Sequence, residues 1–195
     1  MSLLTYASLT HRRRAYRSTD ANVLLSSQTA DADSTVSFTS GIDSTYGEYI
    51  FKFYNYNPSA NSTHLTVQFN AAGGSGYNET ITSTVFQAYA NEGDSDVALT
   101  YKAAEDQAQG TAFQSIAEST GSGADESAAG EMHLFNPSST TYVKHFFLTT
   151  VNYHASDYVM NNYIAGYINT TSAIDEVQFK AADTFDGKFK MWGVK

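Results

Sequence analysis

The sequence predicts an all-β protein: an antiparallel β-sandwich of jelly-roll type with an extended N-terminal arm. Three observations lead there. Apolar residues recur at every second position, as in Tyr49, Phe51 and Phe53 or Leu65, Val67 and Phe69, the period of a strand with one face buried. Aromatic residues are abundant, with 14 Tyr and 12 Phe, and both pack well on a pleated surface. The connectors are rich in Gly, Asn, Asp, Ser and Thr, residues that favour turns. A length of 195 residues suits one sandwich domain. Residues 34–195 are assigned to it and residues 1–33 to the arm.

The arm carries Arg12, Arg13, Arg14 and Arg17, four of the 11 basic residues, and has no sustained period. It reads either as a solvated tail or as an arm that lies on an acidic neighbour, with Leu3, Leu4, Leu24 and Leu25 as apolar anchors. Val36 and Phe38 open the first strand. Gly41–Gly47 then turns the chain into Glu48–Tyr56, which stops at Asn57-Pro58-Ser59 because proline cannot donate to a ladder. Leu65–Phe69 follows, then a loop at Ala71–Tyr77. The next strand turns either Val85, Gln87 and Tyr89 or Phe86 and Ala88 inward. An acidic turn, Asn91–Asp96, leads to Val97–Tyr101. The Ala, Gln and Glu of Ala103–Ala117 read as a short helix interrupted by Gly110, and Ser119–Gly130 as an exposed loop. Order returns at Glu131–Phe135, Asn136-Pro137-Ser138 and a long strand, Tyr142–Tyr153. The two Asn-Pro-Ser tripeptides form a weak repeat about 80 residues apart, suited to two hairpins in packed sheets. Three strands close the chain, at Tyr163–Ile168, Val177–Lys180 and Phe189–Trp192. Free ends fray, so order sustained to the end directs attachment to the opposite terminus.

The net charge of −9 and the excess of acidic residues argue against general nucleic-acid binding, which needs a positive surface. The absence of Cys excludes disulfides, thiolate metal sites and a Cys nucleophile. No apolar run approaches the roughly 18 residues of a membrane span. The apolar piece Leu3–Leu9 precedes the arginines, the reverse of a signal peptide. His11, His64, His133, His145 and His154 lack metal-site spacing, and His145, on an aromatic strand, reads as a packed or interfacial residue. Gly73–Gly76 lacks the lysine of a phosphate loop. Asp175 and Glu176 point to opposite faces of a strand, which argues against a paired-carboxylate site. Asp94 and Asp96 read as a solvated turn in preference to a calcium site. The expectation is a protein that is not an enzyme and needs neither metal nor cofactor. Tyr54 and Tyr56, two apart on one strand, read as surface aromatics that either stack on sugars or pack at a subunit interface.

Four phrases carry a family likeness: Thr10-His-Arg-Arg-Arg-Ala-Tyr-Arg17, Glu48-Tyr-Ile-Phe-Lys-Phe53, Leu134-Phe-Asn-Pro-Ser-Ser-Thr-Thr-Tyr-Val-Lys-His145, and Ala165–Ile174 with the closing Gly187-x-x-x-Met-Trp-Gly-Val194. Together they resemble small structural proteins of tailed bacteriophages, especially marine ones. Trp192 stands where the family's closing Tyr is usual. The resemblance covers most of the chain and implies a virion protein with a jelly-roll or lectin-like sandwich, often a homotrimer. It further implies the major capsid protein or another virion protein as partner. Two placements follow. A capsid decoration (cement) protein would clasp the shell with its arm; a tail or head fibre component would bind host-surface glycans. The missing coiled-coil heptads favour decoration.

Overall fold

A computed structural model describes residues 22–195. Eleven strands follow one another: β1 (Val23–Phe38), β2 (Glu48–Pro58), β3 (Thr63–Ala71), β4 (Ile81–Asn91), β5 (Val97–Tyr101), β6 (Ala108–Gly110), β7 (Gln114–Thr120), β8 (Ala128–Phe135), β9 (Lys144–His154), β10 (Tyr158–Ile168) and β11 (Ile174–Val194). Every strand pair is antiparallel. The first strand pairs with the last, β2 with β8, β3 with β7 and β4 with β10, the wrapped pairing of a jelly-roll-type sandwich.

β11 organises the molecule. Its 21 residues meet β1 along one edge, from Phe38 opposite Val177 to Val23 opposite Gly193. Along the other edge it pairs first with β3, through Val177 opposite Phe69, and then with β2, through Phe189 opposite Phe53. It therefore belongs to both layers. Register shifts in β1 at Ala30–Asp33–Thr35 accommodate the bend, since bulges sharpen twist and curvature. The two closing strands expected at Val177–Lys180 and Phe189–Trp192 are one continuous strand. Gly193 permits a close approach, because a Cβ there would sit 2.5 Å from the ring of Tyr46.

One layer runs β5-β4-β10-β9-β8-β2, and β7, β3 and the first half of β11 cover it. The interior has two characters. Beneath β2 and β11 it is aromatic: Phe179 lies within 6.3 Å, centroid to centroid, of Phe38, Phe51, Phe53 and Phe189. Beneath β4, β10 and β9 it is polar. Ser83, Gln87, Gln114, Thr150, Asn152 and Asn162 are all buried there and satisfied by one another or by backbone carbonyls, as buried polar groups must be.

Four expectations are corrected. Residues 23–33, assigned to the arm, are the first part of β1, so the body begins at Val23 and not at residue 34. Ala103–Ala117 is not helical but holds turns, β6 and the start of β7. Its glutamines act as core residues: Gln114 donates to the Glu105 and Ser115 carbonyls and accepts from Ser83 Oγ. The Ser119–Gly130 segment is a loop only between Gly121 and Ser127, flanked by β7 and β8. The two Asn-Pro-Ser sites do not mark hairpins in opposite sheets, because β2 and β8 are direct neighbours. Asn57 donates to the Gly123 and Glu126 carbonyls, whereas Asn136 takes a left-handed φ of 46°.

Candidate functional site

Arg12, Arg13, Arg14 and Arg17 lie outside the described residues. Tyr54 and Tyr56 lie inside them and do not form a surface pair. Tyr54 is exposed, with the Lys190 ammonium 5.4 Å from its ring centre. Tyr56 is fully buried and packs against Phe185 at 5.2 Å. The cause is Asn55, whose φ of 56° shifts the alternation by one position and turns Tyr56 inward. Only Tyr54 remains available to a ligand. His145 is exposed on the outer sheet face beside Tyr167. The Asn91–Asp96 turn is held by the Asn91 side chain, which accepts from the Ser95 and Asp96 amides, and Asp96 accepts the Tyr158 hydroxyl.

The candidate site is a cleft of about 370 Å³ where the polar half of the interior opens to solvent. Gln87 and Tyr89 from β4, Tyr158 and Met160 from β10, and His154 from β9 form its floor and one wall. Asp96, Lys102 and Glu118 line the rest. Each residue reaches the cleft through strand alternation. Gln87 is opposite Asn162 and Tyr89 opposite Met160, so their side chains share the inner face of the β4–β10 pair.

Glu118 is the electrostatic centre. Its carboxylate lies 2.9 Å from Lys102 Nζ and accepts from Gln87 Nε2 at 3.2 Å. Gln87 also donates to Asn162, which in turn donates to Thr150 and Asn152. Burial pushes the Glu118 carboxyl upward, but the hydrogen bonds from Lys102 and Gln87 and the Lys102 charge outweigh it and hold it below its ordinary value. Burial is the main influence on His154 and lowers its pKa, which favours a neutral ring at neutral pH. Tyr158 stands edge-on to both Tyr89 and His154, at 5.7 and 5.8 Å. A neutral imidazole, an ion pair, amide groups and two phenol rings can bind a small polar ligand by hydrogen bonds and ring contacts.

A carboxyl depressed in the folded state stabilises fully above its unfolded pKa, and that contribution is lost as pH falls through the folded value. Glu118→Gln is therefore expected to cost about 1–3 kcal/mol at pH 7 and to flatten the acid limb of stability. Urea midpoints measured from pH 6 down to pH 2 check this. Equal acid sensitivity of the variant and the parent would remove Glu118 from the account.

Sequence reasoning missed this site because its key residues look like interruptions. Gln87 and Asn162 are polar at inward positions of otherwise apolar alternations, in phase with Val85 and with Ile164. That phase was the available signal.

No family model and no curated protein matches the chain. Among solved structures, it aligns with a chain described as "Structure of infectious bursal disease virus Gx strain" at 11% identity and a TM-score of 0.12, over 90% of this chain and 38% of that one. The chain thus spans well under half of that neighbour, and a score at this level marks no common architecture.

Proposed function

We propose that the chain is a structural protein of a bacteriophage virion, a capsid decoration protein that binds the shell through its N-terminal segment. The observation that carries this is the division of charge about a mechanical anchor. Residues 1–21 hold four of the 11 basic residues and, in Asp20, one of the 20 acidic ones, which leaves seven basic against 19 acidic residues in the body. The segment joins the body at β1, which is hydrogen-bonded to β11 from Val23 to Phe38. Load on a segment that enters at β1 passes through this pairing to β11 and so to both layers. The basic segment suits an acidic patch on the major capsid protein, and repetition over a symmetric shell multiplies a modest single contact.

Removing residues 1–21 is expected to leave a folded, soluble body that no longer sediments with particles lacking the protein, while the full chain decorates them at regular sites. Circular dichroism and negative-stain imaging read the two outcomes. Undiminished decoration by the truncated body would overturn the role of the segment.

The cleft favours a second reading, a fibre component that binds a host glycan, since Tyr89, Tyr158, Gln87 and the Lys102–Glu118 pair supply ring faces and hydrogen-bonding groups together. Density confined to the tail in the same imaging experiment would select it.

A further inference from the structure

The outer face of the β5-β4-β10-β9-β8 sheet is open and apolar. Eight of the 12 large hydrophobic residues exposed in the described structure lie on it, including Leu99 at 70% exposure, Val159 at 53% and Val151 at 46%. Strand register assembles them into rows. Tyr101, Phe86, Tyr163, Thr149 and Glu131 are successive neighbours in one row; Leu99, Ala88, Asn161, Val151 and Ala129 are neighbours in the next. Phe86 and Tyr163 stack at 5.1 Å, and Asn161 links Thr149 to the Tyr163 hydroxyl. This is a coherent surface rather than a scatter of exposed residues, and such patches mark interaction sites.

We propose that this face is the contact between two copies of the chain, packed face to face about a two-fold axis. Charge selects the occupant. The body carries seven basic and 19 acidic residues, so two copies repel over most approaches. The two rows hold a single charged residue, Glu131, which pairs with the Lys52 ammonium and shares a hydrogen bond with His133 Nε2. A basic partner would gain nothing on this face and would find carboxylates elsewhere. A second copy meets a nearly uncharged approach along these rows. A flat face opposed to itself forms an isologous contact, which closes as a pair, in contrast to the trimer that the family likeness implies. Five strands about 4.8 Å apart and roughly 20 Å long offer on the order of 500 Å² of flat sheet per copy. That lies below the roughly 800 Å² per partner of a standard interface, so the pair is expected to form with a dissociation constant on the order of 10 µM.

Light scattering across about 1–200 µM is expected to resolve a monomer–dimer equilibrium. Val151→Glu and Leu99→Glu, both at exposed positions where folding is undisturbed, are each expected to weaken it by about 100-fold. The chain has no Cys, so Val159→Cys alone supplies a thiol for a short bis-maleimide, which is expected to yield a covalent dimer. A monomer throughout the range, a trimer, or a dimer that survives both substitutions overturns the proposal. So does a Val159→Cys thiol that is shielded in the full-length monomer and becomes reactive after removal of residues 1–21, which would assign the face to that segment.

Discussion

Phe179→Ala is expected to lower the free energy of unfolding by about 3–5 kcal/mol. Phe179 is 1% exposed and sits on β11 near the point where that strand leaves β3 for β2. Its ring lies 6.3 Å from Phe38, 6.2 Å from Phe51, 6.2 Å from Phe53 and 5.3 Å from Phe189. A void there strips one contact from each of four rings held by three different strands, β1, β2 and β11, none of which can close the gap alone. The exposed Phe86→Ala is the control, expected to change stability by no more than about 0.5 kcal/mol. Urea unfolding of both variants checks the difference. A cost below about 1 kcal/mol for Phe179→Ala would mean that the aromatic half of the interior collapses onto the void.

Removal of residues 1–33 is expected to behave quite unlike removal of residues 1–21. The shorter deletion ends before Val23. The longer one takes the part of β1 that pairs with Phe185–Gly193 and removes buried Ala30 and half-buried Leu25. The matching edge of β11 would then expose a row of unpaired backbone groups, a template for aggregation. The expected result is an insoluble or molten product for the longer deletion and native circular dichroism for the shorter. A folded, monodisperse 34–195 fragment would show that the Val23–Asp33 part of β1 contributes little.

The sequence made legible whatever followed simple alternation. β9 buries Lys144, Phe146, Leu148, Thr150 and Asn152 and exposes the residues between them, and its neighbour β10 behaves nearly as regularly. What escaped was long-range or hidden in a single dihedral angle. Residues 181–187 look like a turn because all but Phe185 are small or polar, yet pairing to β1 and to β2 keeps the strand continuous through them. The left-handed Asn55 decides that Tyr56 is a core residue, and nothing in the neighbouring residue types announces it. Helix-favouring glutamines between 103 and 117 were recruited instead by backbone carbonyls, such as that of Ala112, which accepts from Gln107, and that of Glu105, which accepts from Gln114. The cleft was illegible for a related reason, since its polar network is drawn from four strands, β4, β7, β9 and β10, and exists only once they meet.

The position of β11 also governs how the protein is made. The ribosome releases this strand after all ten of the others, yet β1, β2 and β3 have no common neighbour until it arrives. The nascent chain must therefore wait with its aromatic strands uncovered, exposed to chaperones and to other nascent chains, and close in one late step. Expression at lower temperature, where competing association of such chains is slower, favours the soluble product.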